Sequence, residues 1–261
     1  MSPALDCTTQ KARDENVPAA VEAIRAGELI VLPTDTVYGI GADAFNAHAV
    51  EQLLAAKGRG RDMPPPVLIP DQRAVDGLAM NVPSYAKRLM ERFWPGGLTL
   101  VLRAQPSLAW DLGDTNGTVG LRIPDDEVAL AVLRETGPLA VSSANRTGEA
   151  AATTVTEAGF ALGPAVRVYL DGGPRTDVEP STIIDCTKAD PVVLRLGSVS
   201  PEAITEVLAG VELVNPFDQP VIDLAKEDEP PIDLTKGGEP VPDPATESPD
   251  GEAAQETTEP H

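Results

Sequence analysis

Cysteine and histidine are nearly absent, with two of each in 261 residues. Cys7 and Cys186 lie far apart and form no CxxC, which excludes a disulfide framework or a cysteine-built zinc site. Two isolated cysteines fit a reducing compartment. His48 falls in an early helical pattern and His261 is the last residue, so a Ser-His-Asp hydrolase is disfavoured. Bases are scarce as well: 20 lysines and arginines face 41 acids, a formal charge of −21. That balance disfavours binding long nucleic acid through a broad basic surface. No run approaches the roughly 18 apolar residues of a membrane helix, and the polar start MSPALDCTTQKARDEN has no apolar signal core. The expectation is a soluble, cytoplasmic protein.

What is present is an alternation of helical and strand patterns. Pro18 to Ala26 reads as a helix stopped by Gly27, and Glu28 to Leu32 as a buried strand. Ala47 to Ala56 puts Val50, Leu53 and Leu54 on one helical face, and Pro83 to Phe93 is amphipathic up to Trp94-Pro95-Gly96-Gly97. Val67 to Ile69, Leu98 to Leu102, Thr118 to Ile123, Pro138 to Val141, Val166 to Leu170, Thr182 to Asp185 and Val192 to Leu196 are strand patterns. Glu127 to Arg134 reads as a helix, Thr153/Thr154 open another, and Ser200-Pro201 start the last, which Gly210 ends. The spacing predicts one mixed α/β domain over residues 1–210. Residues 211–261 carry fourteen acids and two lysines and are rich in Pro and Thr; this composition predicts a disordered acidic tail. Within it VIDLAKEDEP is echoed by PIDLTKGGEP. The echo reads either as a drifted duplication or as paired short motifs anchored by Ile222/Leu224 and Ile232/Leu234.

The segment LPTDTVYGIGADAFNAHAVEQLLAAKGRGR, residues 32–61, runs strand, hydroxyl-rich turn, helix, cationic loop. This is how an α/β protein builds an anion pocket at strand ends. Thr34-Asp35-Thr36 can hold an amine, hydroxyl or phosphate, or can satisfy the turn itself. Gly39 and Gly41 permit a tight bend, but no complete GxGxxG is present. Lys57, Arg59 and Arg61 exceed what a helix dipole requires, and alternating spacing in an extended loop would aim all three to one side. Ser142, Ser143 and Asn145 follow a second apolar strand and serve as turn formers or as contacts to a triphosphate or adenine edge. Arg122 and Arg195 sit in apolar runs, where each needs an internal carboxylate or a ligand. Together these segments suggest a nucleotide site without a P-loop. No HExxH or Cys/His cluster exists, so any metal is expected to be Mg²⁺ held by the nucleotide's phosphates.

Several segments together, LPTDTVYGIGADA, AKGRGRDMP, WPGGLTLVL, TVGLRIP, SSANRTG, STIID and LRLG, resemble the YrdC/Sua5 family of threonylcarbamoyl-AMP synthases in its short, single-domain form. They lie in family order over nearly all of residues 15–210. The resemblance implies a twisted open mixed sheet with flanking helices around a concave pocket. It implies formation of L-threonylcarbamoyladenylate and pyrophosphate from L-threonine, bicarbonate or CO₂, and ATP, for the t⁶A37 modification of tRNA. By position, Thr36, Arg122, Ser143 and Ser181 fall where the family contacts threonine. Lys57, Arg59, Thr118, Asn145, Thr153 and Arg195 fall where it contacts ATP, with Lys57 and Arg59 carrying the catalytic charge. Two positions depart from the family pattern: Gly60 replaces a proline, and Leu68 stands where the family has a histidine. An RNA-binding module of the same fold and a carbamoyl-transferase relative are the alternatives.

Overall fold

The computed structural model describes residues 4–176 and 179–218. The elements are β1 (Ala4–Asp6), α1 (Gln10–Arg25), β2 (Ile30–Leu32), β3 (Gly39–Asp43), α2 (Ala47–Lys57), β4 (Val67–Leu68), α3 (Ala74–Leu78), β5 (Ala79–Met80) and α4 (Ser84–Phe93). After them come β6 (Leu98–Ala104), β7 (Thr118–Arg122), α5 (Glu127–Thr136), β8 (Leu139–Ser143), α6 (Val155–Leu162), β9 (Val168–Asp171), β10 (Thr182–Asp185), β11 (Val192–Arg195) and α7 (Pro201–Leu208). All strands join one mixed sheet in the order β1-β9-β2-β3-β8-β4-β7-β6-β10-β11, with β5 on β6.

Strand β2 is apolar at every position because the sheet is covered on both faces there. Ile30 and Leu32 pack with α1 and α5, while Val31 points the other way, towards α2 and α6. Strand β6 shows the opposite regime. Leu98, Leu100 and Leu102 face the core formed with α4 and α7, and Thr99, on the alternate face, lines an open cavity. The cavity therefore forms where the sheet face stops being covered by helices.

Three features differ from the sequence expectation. Helix α1 begins at Gln10, capped by the Thr9 side chain, and carries Pro18 in its interior rather than at its start. Pro18 costs one i→i−4 bond but does not end the helix, since α1 is held by Val17, Ala20, Val21 and Ile24 in the core. Gly39 to Asp43 is not a bend but strand β3, paired antiparallel to both β2 and β8. Its two glycines hid it, because they remove the alternating pattern of side chains a strand normally shows. Beyond Gly210 the chain still pairs with the sheet: Val214 bridges to Val192, and Val211 and Leu213 pack on the core. The IDL echo at 221–240 lies outside the described residues.

Candidate active site

A cavity of about 460 Å³ opens over the uncovered face of the sheet. Its wall includes Thr34, Thr36, Arg59, Leu68, Thr99, Arg122, Ser142, Ser143, Asn145, Ser181 and Arg195. Ser142 and Ser143 stand at the end of β8, and Arg122 and Arg195 at the ends of β7 and β11. The site is thus built where strands stop and backbone groups need side-chain partners.

Arg122 is buried beside the Thr34–Thr36 turn. Its Nε donates to Gly96 O at 2.9 Å, Nη1 to Thr36 Oγ1 at 3.2 Å and Nη2 to Asp35 Oδ1 at 2.7 Å. Burial pulls Arg122 below the ordinary guanidinium value, and Asp35 opposes that pull. Asp35 is therefore the internal carboxylate that Arg122 required, and it is not itself part of the cavity wall. The Asp125 N–H also donates to Asp35 Oδ1, at 2.9 Å. Thr34 Oγ1 donates to Val37 O at 2.6 Å, which closes the turn and leaves the Thr36 hydroxyl towards Arg122.

Arg195 donates twice to Ser181 O, at 3.0 and 2.6 Å, and to Ser181 Oγ at 2.9 Å. The Ser181 hydroxyl in turn lies 2.8 Å from Thr99 Oγ1. Arg59 donates to Ser142 Oγ at 3.2 Å, and its buried Nε has no partner among the described residues. Arg59 and Arg195 also lie below the ordinary guanidinium value, in each case chiefly from burial. For Arg195 the next causes are the charges of Arg122 and Arg59. Three guanidinium groups thus raise the potential of one cavity, and among the described residues Glu149 is the single carboxylate along its wall. An anionic ligand is the natural complement of this arrangement.

The three cations of residues 57–61 diverge, contrary to the expectation that they point one way. Lys57 is still in the last turn of α2 and is 1% exposed. Its Nζ donates to Ser143 O, to Asn145 O at 2.7 Å and to Asn145 Oδ1 at 3.4 Å. Burial, and then the Arg59 charge, bring Lys57 down to about 8. Gly58 ends α2 in the left-handed conformation, which turns the chain and breaks the two-residue alternation. Arg59 then reaches the cavity, whereas Arg61 faces outward to Asp111 at 2.7 Å and Asp114 at 3.6 Å.

Lys57, Thr118 and Thr153 are not among the lining residues, contrary to their expected contact with the nucleotide. Thr118 Oγ1 is spent on Thr115 O, and Thr153 Oγ1 on Glu157 Oε2 in the capping box of α6. Leu68 does line the cavity, as does Ser142, which the sequence offered as a contact, together with Thr99 and Glu149, which sequence reasoning did not place there. Thr99 had a legible signal: it is the one polar residue in an otherwise apolar strand run. His48 lies on α2, exposed and against Gln52 and Glu51, so among the described residues no histidine lines this cavity.

A family model named Sua5_yciO_yrdC, described as "Telomere recombination", matches residues 22–197. The chain belongs to the Sua5/YciO/YrdC family. A putative threonylcarbamoyl-AMP synthase of Mycobacterium tuberculosis is 51% identical over 217 residues, covering 83% of this chain and 100% of the relative. The threonylcarbamoyl-AMP synthase of Bacillus subtilis is 38% identical over 203 residues, covering 77% of this chain and 58% of the relative. The crystal structure of Pyrococcus abyssi Sua5 complexed with L-threonine superposes with a TM-score of 0.75 at 32% identity, over 82% of this chain and 62% of that one. The mixed α/β sheet with flanking helices is therefore the Sua5/YciO/YrdC fold.

Proposed function

We propose that this chain is an L-threonylcarbamoyladenylate synthase, a nucleotidyltransferase that joins L-threonine, bicarbonate or CO₂, and ATP and releases pyrophosphate. The observation that carries the reading is the convergence of Arg59, Arg122 and Arg195 on one hydroxyl-lined cavity in a member of this family. The threonine amine adds to CO₂, losing a proton, and gives a carbamate. A carbamate oxygen then attacks the α-phosphorus, and the bond to the pyrophosphate oxygen breaks. No covalent enzyme intermediate is needed, so a cavity without a nucleophile–histidine pair is sufficient. Catalysis is positioning together with stabilisation of phosphate charge.

In this reading Thr36, Arg122, Ser143 and Ser181 form the amino-acid half. Arg59, Asn145 and Arg195 form the nucleotide half, with Lys57 holding Asn145 through its Nζ, and Thr118 and Thr153 are left out of it. Among the described residues no cluster of His, Cys, Asp or Glu could hold a metal ion. Mg²⁺ would arrive on the triphosphate's own oxygens and supply charge neutralisation there. The product would pass to the machinery that transfers threonylcarbamoyl to A37 of tRNA. Among the described residues no helix is long and apolar enough to cross a membrane; the cytoplasm is the proposed place of action. The catalytic unit is assigned to residues 1–218, past the 1–210 of the sequence pattern because of the Val214 bridge, with the acidic remainder outside the chemistry.

The test is incubation with ATP, Mg²⁺, bicarbonate and L-threonine, with pyrophosphate release and mass spectrometry of the nucleotide products. Release is expected to require both threonine and bicarbonate. Equal turnover without threonine would sink the assignment.

A further inference from the structure

Arg175 lies outside the cavity wall yet touches four of the segments that form or support it. Its Nη1 donates to Thr34 O at 3.1 Å and to Asp126 Oδ2 at 2.9 Å. Its Nη2 donates to Gly172 O at 2.5 Å and Gly173 O at 3.2 Å, and its backbone N–H to Thr153 O at 2.8 Å. The guanidinium also sits over the Tyr38 ring, 5.8 Å from its centroid. The side chain is 16% exposed, and its partner Asp126 is 12% exposed. An ion pair this secluded is costly to break from one side, because the remaining charge is left without a partner.

Two of these contacts lead to Arg122. Thr36 Oγ1 and Asp35 Oδ1, which hold Nη1 and Nη2 of Arg122, both belong to the turn whose Thr34 carbonyl Arg175 grips. Asp126 follows Asp125, whose N–H holds Asp35 Oδ1 from the other side. Asp126 Oδ1 meanwhile accepts from Val128 N and Ala129 N, so the grip on Asp126 is anchored to the start of α5. Arg175 therefore fastens the Thr34–Thr36 turn directly and fastens the segment that braces Asp35. The planar fork matters, since one nitrogen serves a carbonyl and a carboxylate on different segments while the other serves two more carbonyls. A lysine supplies the charge without that geometry.

We propose that Arg175 is a positioning residue for the amino-acid half of the cavity, fixing the Thr34–Thr36 turn and through it the direction of the Arg122 guanidinium. This role rests on the assignment of Arg122 to threonine. It predicts a selective defect: the threonine side of the site loosens, while the nucleotide side, built by Arg59, Asn145 and Arg195 from other segments, keeps its geometry.

The experiment compares the full chain with Arg175→Met and Arg175→Lys by calorimetric titration with L-threonine, steady-state kinetics for both substrates, and thermal unfolding. In both variants the Kd and KM for threonine should rise about tenfold, as misplacement of a binding group costs. The KM for ATP should stay within about twofold of wild type. A folded variant with wild-type threonine affinity overturns the role. So does a loss shared equally by threonine and ATP, which is what general loosening of the fold produces. If Arg175→Met fails to fold, Arg175→Lys, which keeps a charge opposite Asp126, is judged by the same two criteria. Failure of both to fold makes Arg175 a folding residue and overturns the role. Absence of threonine binding by the wild type overturns the function assigned above and this role with it, whereas wild-type binding matched by both variants overturns only the role.

Discussion

Lys57, Arg59 and Arg61 carry the same charge within five residues, yet each meets a different environment. Arg59 has a buried Nε without a partner among the described residues and faces the cavity, so it has capacity for an anion. Arg59→Ala is expected to lower kcat/KM by about 30- to 150-fold, the loss of about 2–3 kcal/mol from a charge-assisted contact, with the fold retained. Arg61→Ala should change kcat/KM by less than about twofold, since its partners Asp111 and Asp114 are surface carboxylates. Equal effects of the two substitutions in the same assay would refute this division. Lys57 behaves differently because it is brought down to about 8 from an ordinary 10.5. Between those values the unfolded chain holds a proton that the folded chain has released, so folding stability rises with pH across that window. Below about 8 both states are protonated and this contribution is flat. Urea unfolding of the wild type and Lys57→Met from pH 7 to pH 10 should show the wild type gaining on the variant only above about pH 8. Parallel curves would mean that Lys57 is not shifted.

Among the elements, β10 and β11 show how a site can be set by backbone approach. A Cβ on Gly197 would lie 2.1 Å from Pro180 O, 2.7 Å from Ser181 C and 2.8 Å from Thr182 N. Backbone cannot yield as a flexible side chain does, so Gly197→Ala must push the Pro180–Thr182 segment away and carry Ser181 with it. The expected cost is about 1–3 kcal/mol of stability, with a rise in the KM for threonine. Thermal unfolding together with threonine kinetics checks both, and an unchanged melting temperature would show that the segment tolerates the methyl group. Much of this element-level design is readable from local pattern. The β2, β6 and β10 runs announce strands because their apolar residues are contiguous or alternate. Strand β3 and the first two turns of α1 do not, because glycines erase the one pattern and Gln10 to Asn16 carries little apolar signal for the other.

On the scale of the whole molecule, every described residue lining the cavity lies between Thr34 and Arg195, and sheet pairing runs on to Val214. Deleting residues 219–261 should therefore leave kcat/KM within about twofold of the full chain and the melting temperature within a few degrees. A steady-state assay and a melt of the truncated chain decide it; a tenfold loss would make the acidic segment part of the working enzyme. The truncation also removes much of the chain's net negative charge, so any change it does cause should fade with added salt if it is electrostatic.

Family membership, the order of the main elements and, as candidates, the cations and hydroxyls Thr36, Arg59, Arg122, Ser143 and Arg195 were legible in the sequence itself, whereas Thr99 and Glu149 were not among those candidates. What was legible depends on short contiguous segments such as LPTDTVYG, TVGLR and SSANRTG and on hydrophobic periodicity, both local properties. The direction in which each charge points was decided only by the tertiary structure. Asp35 finds Arg122 87 residues away, Lys57 finds the Asn145 carbonyl 88 residues away, and Arg175 finds Thr34 141 residues away. A buried charge is satisfied by whichever acceptor the packed chain brings to it, and that acceptor is set by strand order and helix ends far from the charged residue in sequence.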